Sequence, residues 1–158
     1  MTTTTSSHSF KDTVTFDDIL LVPQMSCIRS RTQIDLAVDL SNVGGLLLPI
    51  VSSPMDTVTE TAMLKAMDSH GGLGIIHRYN DIQGQCSMVT GAKLRSPESK
   101  NVGAAIGVSG DYLDRAAALF DAGARVLCID IAHGHHSLMK KALEELRSTF
   151  GDTVHLMA

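Results

Sequence analysis

The chain has 158 residues, of which 44% are hydrophobic and 19% are charged, and its formal net charge is -4 at pH 7. This length leaves room for one domain with a substantial core, and the composition is that of an ordinary globular protein. The negative net charge argues against a nucleic-acid-binding protein, because such domains are usually strongly basic. No apolar run in the sequence approaches the roughly 18 residues that a membrane-spanning helix needs.

The amino-terminal segment and the cysteines indicate a cytoplasmic protein. The first nine residues are mostly Thr and Ser, without the features of a transit peptide or a secretion signal, and we expect residues 1–14 to form a disordered tail. Cys27, Cys86 and Cys128 are odd in number and lack C-x-x-C spacing, which favours reduced thiols. None of them has a base nearby in sequence, so the chain offers no evident nucleophile.

The first predicted elements are short. Residues 16–23 and 34–40 are predicted to form short strands or extended arms. The apolar segment 46–51 follows two glycines, a pattern that predicts a strand buried on both faces. Thr57 precedes Glu60 by three residues, which is the spacing of a capping box and predicts that a helix begins there.

Strands and helices then alternate along the rest of the chain. Apolar strands are predicted at 73–77, 102–108, 126–131 and 154–158, and helices at 81–92, 111–122 and 137–150. Strand starts recur about every 27 residues, and alternation at this spacing indicates βαβ units around a parallel sheet. The buried face of the helix at 111–122 is predicted to carry Leu113, Ala116, Ala117 and Phe120.

Five parallel strands fit two α/β architectures. One is a (β/α)8 TIM barrel, of which this chain would supply the first four to five β/α units. The other is an open doubly wound sheet of flavodoxin size, against which the absence of G-x-G-x-x-G after the first strand counts. A barrel needs roughly 200 residues or more, and this chain stops within an apolar strand. We therefore expect residues 15–158 to form the amino-terminal half of a barrel, as one folding unit.

Polar residues follow the carboxyl ends of the predicted strands, where barrels bind their ligands. Ser52 and Ser53 follow the first strand, His77 and Arg78 the second, and Asp130 and His133 the fourth, while Gly103 and Gly107 keep the third free of bulk. Loops are polar in most proteins, so these positions alone also fit an ordinary solvated rim.

The segment 130–136 combines a carboxylate with three histidines. Asp130 ends an apolar strand, where it could accept hydrogen bonds from sugar hydroxyls. His133, His135 and His136 could form a metal site, but adjacent histidines seldom converge on one ion, and we expect no metal. The alternative is a solvated loop that caps the next helix at Ser137.

Five blocks of the sequence, in order, resemble the family of inosine monophosphate (IMP) dehydrogenases and guanosine monophosphate (GMP) reductases. The blocks are 16–23, 52–60, 71–77, 103–107 and 130–134. The resemblance implies a (β/α)8 barrel and a purine-nucleotide oxidoreductase that uses NAD or NADP. It also implies a homotetramer for the full-length protein and allows a monovalent cation.

The resemblance assigns roles to particular residues. Ser53 and Met55 would contact the purine nucleotide, which is IMP, xanthosine monophosphate (XMP) or GMP. The family's catalytic cysteine lies on a glycine- and serine-rich loop that this chain lacks, so residues 1–158 alone are predicted to be inactive. The cofactor would be bound by Asp130, Ile131 and Ala132, and by Ser30, Arg31 and Arg78. Either of the two arginines can pair with a phosphate, although an isolated arginine is often only surface charge.

Few features separate the two enzymes of the family. The block 52–60 resembles dehydrogenases, whereas Ile131 and the three cofactor positions Ser30, Arg31 and Arg78 resemble reductases. About 23 residues separate His77 from the third strand, which leaves no room for a CBS-type regulatory insertion. We predict NAD-dependent oxidation of IMP to XMP, with NADPH-dependent GMP reduction as the alternative and a non-catalytic nucleotide-binding half barrel as a third possibility.

Overall fold

A computed structural model describes residues 12–40, 44–92 and 101–158. The predicted tail at 1–14 lies mostly outside these ranges. The chain divides into two compact units, with the boundary after Ile34. No helix in the described ranges is both long enough and apolar enough to cross a membrane.

The described residues of the first unit include two short 3-10 helices, Phe16–Asp18 and Arg31–Gln33. Thr15 caps the first of them, since its hydroxyl accepts from the Asp17 amide and its own amide donates to the Asp18 carboxylate at 2.8 Å. Residues 16–18, predicted to belong to a short strand or an extended arm, form a helical turn instead. Local side-chain hydrogen bonds favour this turn over an extended ladder.

The second unit opens with a small antiparallel pair, β1 (Val38–Asp39) and β2 (Gly45–Leu46). A five-stranded sheet follows, in which every neighbouring pair is parallel and the strands lie side by side in chain order. Its strands are β3 (Val51–Ser52), β4 (Leu73–Ile76), β5 (Val102–Ile106), β6 (Val126–Ile129) and β7 (His155–Met157). The predicted parallel sheet is confirmed.

In the part of the chain that the structure describes, four helices connect the strands of this sheet. They are α1 (Thr61–Ser69), α2 (Ile82–Gly91), α3 (Tyr112–Ala122) and α4 (Ser137–Phe150). The α3 helix ends at Gly123, whose φ of 113° is left-handed and suits glycine. Its buried residues include Tyr112, Ala116 and Leu119, whereas Leu113 and Ala117 are exposed, so the predicted face was partly wrong. The buried face instead follows Tyr112, Ala116 and Leu119, which recur at i, i+4 and i+7.

All four helices pack on one face of the sheet. The main core cluster joins Leu64, Val89, Leu119 and Leu146, one from each helix, to strand residues such as Ala104 and Leu127. The opposite face carries a smaller cluster that includes Leu73, Ile75, Ala105 and Val126. A doubly wound sheet has helices on both faces and a reversal of strand order. Neither feature is found in the described part of the second unit, and the arrangement is consistent with part of a barrel wall.

The predicted buried strand at 46–51 was wrong. The chain bends at Leu47 and Leu48, whose amides both donate to the Gly71 carbonyl, and it resumes as a strand only at Val51. Ile50 and Val51 are 55% and 42% exposed. Pro49 has no amide to donate, and β3 lies at the edge of the sheet with β4 as its one neighbour. A strand at the edge has a neighbouring strand on one side only, so its side chains are less buried than those of a central strand.

The predicted helix starts also need two corrections. The α1 helix begins at Thr61, and Glu60 stands at its N-cap without a side-chain hydrogen bond to the helix. The Glu60 carboxylate faces His77 instead, so no capping box forms with Thr57. For α4, the N-cap is His136 rather than Ser137, because the His136 Nδ1 accepts the Leu138 amide at 3.0 Å.

Candidate functional site

A polar cleft of about 190 Å³ opens where β4, β5 and β6 end. Four of the residues predicted to bind the cofactor line this cleft together: Arg78, Asp130, Ile131 and Ala132. They come from two different loops, one after β4 and one after β6, which lie on either side of β5. In a parallel sheet the carboxyl ends of neighbouring strands meet at one edge, so the sheet order explains why residues 52 positions apart line the same cleft.

Arg78 and Asp130 are in direct contact within the cleft. The Arg78 Nε donates to the Asp130 Oδ2 at 3.1 Å, and each side chain is about a third exposed. A Cβ placed on Gly107, which follows β5, would lie 3.8 Å from the Arg78 guanidinium, an ordinary van der Waals distance. An ion pair that solvent reaches in this way is worth only about 0–1 kcal/mol. A ligand hydroxyl or phosphate can therefore compete for either group.

A second arginine in the cleft was not identified from the sequence. Arg115 is only 8% exposed. Its Nη1 donates to the Gln85 Oε1 at 2.8 Å and to the Asn80 carbonyl at 3.1 Å, and its Nη2 donates to the Asp111 carboxylate at 2.9 Å. The available signal was the Asp111–Arg115 pair, spaced i,i+4 at the start of a helix, but such pairs usually lie in solvent. Asp111, Arg115 and Ser109 complete the polar lining.

The loop after β3 is held by a buried threonine. Thr59 is fully buried, and its hydroxyl donates to the Ser53 carbonyl at 2.6 Å and lies 2.9 Å from the Ser52 hydroxyl. The Met55 carbonyl accepts the amides of Val58 and Thr59, both at 2.9 Å. Ser53 is exposed and Met55 is 50% exposed. The backbone of this loop is therefore fixed while its two predicted substrate-binding side chains face outward.

His77 links the end of β4 to the start of α1. It is 3% exposed, and its Nδ1 accepts the Tyr79 amide at 3.2 Å. A neutral imidazole that accepts at Nδ1 carries its proton on Nε2, and this nitrogen faces the Glu60 carboxylate at 3.5 Å. His77 does not line the cleft of Arg78 and Asp130. Through its contact with Glu60, His77 connects the end of the Ser53 loop to β4, the strand that precedes Arg78.

Ser30 and Arg31 belong to the first unit. Ser30 caps the second 3-10 helix by accepting the Thr32 amide at 3.3 Å, and Arg31 is the first residue of that helix. Both side chains are exposed. Their contact with a cofactor phosphate stays a prediction.

The three histidines after Asp130 do not form a metal centre. Across the residues described here, no group of three or more His, Cys, Asp or Glu side chains is arranged to hold a metal ion. His136 caps α4, and His135 lies beside it along an open, largely apolar groove at the start of that helix. The capping loop is thus the interpretation that the structure supports for this segment, with the cap one residue earlier than predicted.

The two cysteines of the second unit are poor nucleophiles. Burial raises the pKa of the Cys128 thiol above its ordinary value of 9.0, and the nearby Asp130 carboxylate raises this pKa further. Burial also raises the pKa of Cys86, an effect that Arg115 partly opposes and Asp121 adds to. A nucleophilic cysteine needs a lowered pKa, so neither thiol is activated at neutral pH.

Comparison with known proteins decides the family. A family model described as "IMP dehydrogenase / GMP reductase domain" matches residues 13–158, which is nearly the whole chain. The chain belongs to the IMP dehydrogenase/GMP reductase family. This confirms the resemblance seen in the sequence blocks and places the cleft in a family of oxidoreductases.

The chain is similar to relatives that carry both names. It is 33% identical to an inosine-5'-monophosphate dehydrogenase of Cryptosporidium parvum, with 85% of this chain and 43% of that protein aligned. It is 51% identical to an inosine-5'-monophosphate dehydrogenase of Nitrosopumilus maritimus over 53% of this chain and 18% of that protein. A GMP reductase of Leishmania donovani is 45% identical over 51% of this chain and 16% of that protein. The chain thus spans less than half the length of these relatives.

Proposed function

We propose that this chain is the amino-terminal part of a nicotinamide-dependent oxidoreductase of purine nucleotides, and that its reaction is the oxidation of IMP to XMP with NAD. The observation that carries the proposal is the cleft at the ends of β4, β5 and β6, which brings Arg78, Asp130, Ile131 and Ala132 together. Family membership supplies the class of reaction, and the cleft supplies a place for the dinucleotide.

The residues of the cleft fit a nicotinamide nucleotide. The Asp130 carboxylate has an oxygen that is not used by Arg78 and can accept a hydrogen bond from a ribose hydroxyl. Arg78 offers further guanidinium nitrogens to a phosphate oxygen. When bound, the nicotinamide ring accepts or donates the hydride. Ile131 and Ala132 extend the same wall with apolar and small side chains.

The Ser53 loop is proposed to hold the purine nucleotide. Ser53 and Met55 are exposed at the end of β3 while Thr59 and the Met55 carbonyl fix the loop behind them. In this proposal Ser53 offers a hydroxyl to the nucleotide and Met55 packs against its base through a polarizable thioether. The loop and the cofactor cleft open at the same edge of the sheet, which suits a reaction that passes hydride between two nucleotides.

The thiol that would attack the purine is proposed to lie outside these 158 residues. Cys86 and Cys128 are kept protonated at neutral pH by their raised pKa values. A covalent step needs a thiolate near a base. The full-length protein, proposed to be a cytoplasmic homotetramer with a complete (β/α)8 barrel, would supply this cysteine. A monovalent cation beside the cysteine loop is compatible with the proposal.

The alternative is GMP reduction with NADPH. Arg78 favours it, because a guanidinium at the ribose would pair with a 2'-phosphate. Against it, the Asp130 carboxylate, which lies 3.1 Å from the Arg78 Nε, would repel the same phosphate. We therefore place the dehydrogenase first.

One assay tests the proposal. Full-length protein is purified and given IMP with NAD, IMP with NADP, GMP with NADH and GMP with NADPH, while absorbance at the reduced-nicotinamide band is followed. The proposal expects reduction of NAD with IMP, and no turnover when residues 1–158 are assayed alone. Oxidation of NADPH with GMP would establish the alternative instead, and no hydride transfer in any combination would refute both.

A further inference from the structure

Arg115 has more hydrogen-bonding partners than a helix-surface ion pair requires. The Arg78 loop, α2 and the start of α3 each supply one acceptor for its guanidinium: the Asn80 carbonyl, the Gln85 Oε1 and the Asp111 carboxylate. Three separate segments therefore converge on one buried cation. Burying a guanidinium is costly unless its donors are satisfied. The three acceptors are therefore held in place around Arg115, because the loss of any one of them would leave a buried donor without a partner.

Gln85 extends this cluster into the sheet. It is fully buried, and its Nε2 donates to the Ala105 carbonyl of β5 at 2.8 Å while its Oε1 accepts from Arg115. The chain of contacts runs from the sheet, through Gln85 and Arg115, to the carbonyl of Asn80. Asn80 lies two residues after Arg78 on the same loop.

From these contacts we infer that Arg115, supported by Gln85, is a positioning residue for the proposed cofactor cleft. By holding the Asn80 carbonyl, it fixes the loop that carries Arg78, and it fixes the Asp111 carboxylate at the mouth of the cleft. The inference deepens the proposed function and rests on it, since it assumes that the cleft binds the dinucleotide. Arg115 acts through Arg78 and Asp111 and is not assigned a contact with reacting atoms.

The main test uses Arg115→Met in the full-length protein. The variant keeps the length and apolar bulk of the side chain but removes every donor. We expect the KM for the nicotinamide dinucleotide to rise about tenfold, while the KM for the purine nucleotide changes less than twofold. A general loss of folding would instead lower the active fraction, and with it the apparent kcat, while both KM values stay unchanged. That result, or an equal rise of both KM values, would overturn the inference.

The matched control is Arg125→Met. Arg125 also donates to backbone carbonyls, those of Phe120 and Ala124, and its guanidinium lies 4.4 Å from the centre of the Phe120 ring. It precedes β6 and so sits at the opposite, amino-terminal end of the strands. Loss of Arg125 is expected to lower stability without a selective change in the dinucleotide KM. An equal selective change in both variants would contradict the inference.

A second pair of variants separates positioning from charge balance. Arg115→Met leaves Asp111 unpaired, and the double variant Asp111→Asn with Arg115→Met removes that unpaired carboxylate. The positioning role predicts that the double variant stays impaired, because the Asn80 and Gln85 contacts are still lost. Recovery of the wild-type dinucleotide KM would show that Arg115 only neutralises Asp111, and it would overturn the inference.

Hydrogen exchange keeps the inference testable apart from activity. In Arg115→Lys or Gln85→Met, which are milder changes, the amides of residues 78–80 are expected to exchange faster while those of β6 are unchanged. Unchanged exchange at 78–80 would refute the positioning role. Faster exchange with an unchanged dinucleotide KM would support the role of Arg115 in holding the loop but would refute the assignment of this cleft to the cofactor.

Discussion

Arg78 and Asp130 lie on two loops separated by β5, and their side chains meet with 3.1 Å between the Arg78 Nε and the Asp130 Oδ2. This contact joins the residues that follow β4 to those that follow β6 at one edge of the sheet. It is the geometric basis for assigning both residues to one ligand.

Replacing Asp130 is expected to weaken binding of the dinucleotide selectively. Asp130→Ala removes the carboxylate that would accept ribose hydroxyls, and charge-assisted hydrogen bonds are worth about 1.5–3 kcal/mol. We expect the dinucleotide KM to rise by at least about tenfold, with a small effect on the purine-nucleotide KM, in steady-state assays. The control is Asp121→Ala, an exposed carboxylate on α3. Similar effects of the two changes would contradict the assignment.

Thr59 is expected to control binding of the purine nucleotide. Thr59→Val keeps the shape of a fully buried side chain but leaves the Ser53 carbonyl without its 2.6 Å donor. The Ser53 carbonyl keeps the Met55 amide, at 2.9 Å, as its other donor. The loss is therefore that of one hydrogen bond, about 0.5–1.5 kcal/mol, and we expect a purine-nucleotide KM raised about fivefold with a nearly unchanged dinucleotide KM. Thr59→Ser retains the hydroxyl and should behave like the wild type. If Thr59→Ser were as impaired as Thr59→Val, the hydroxyl would not be the cause.

The predicted sites differ in how far sequence alone could locate them. Asp130 and Arg78 each follow an apolar strand, and parallel strands bring such positions to one edge, so their grouping could be predicted from strand order. Arg115 could not, because its four-residue spacing from Asp111 is the same in a buried network and in a solvated helix pair. What distinguishes the two cases is Gln85, which comes from a different helix 30 positions away.

The fold shows the same division. The α4 helix was predicted at its observed bounds, Ser137–Phe150, since its apolar residues recur at helical spacing and a glycine follows. The segment 46–51 was mispredicted because a run of apolar residues does not reveal that its strand lies at a sheet edge. Glu60 was wrongly assigned to a capping box, because its spacing from Thr57 does not reveal the partner that it faces, His77 at the end of the next strand. Local patterns were sufficient where local contacts decide, and they failed where distant residues do.

Gly74 is expected to be essential for packing α1 on the sheet. A Cβ at this position would lie 2.8 Å from the Leu64 Cδ1 and 2.9 Å from the Leu64 Cα. Because the backbone of α1 cannot yield easily, we expect Gly74→Ala to lower the free energy of unfolding by about 1–3 kcal/mol, measured by urea denaturation. Gly134→Ala is the control, because a Cβ there meets nothing within 4 Å. Equal stability of the two variants would refute the close approach.

Cys128 is expected to make stability fall at alkaline pH. Its pKa is raised in the folded protein by burial and by Asp130, so the unfolded chain loses this proton first as the pH increases. Stability should therefore be intact below the ordinary pKa of 9.0 and decline as the pH rises from there towards the folded-state value. Urea denaturation between neutral pH and about pH 10.5 measures this slope.

The variant Cys128→Ala is expected to flatten the alkaline decline. Cys27→Ala, which removes an exposed thiol of the first unit, serves as the control and should leave the slope unchanged. An identical slope in wild type and Cys128→Ala would show that this thiol does not titrate differently in the folded and unfolded states.

The most direct test of the whole account is a crystal structure of the full-length protein with IMP and NAD bound. We expect the purine nucleotide to lie against Ser53 and Met55. We expect a ribose hydroxyl of the dinucleotide to lie within hydrogen-bond distance of the Asp130 carboxylate, with both ligands at the edge where β3 to β6 end. A dinucleotide bound at any other edge or face, with Asp130 still engaged by Arg78 alone, would contradict the account.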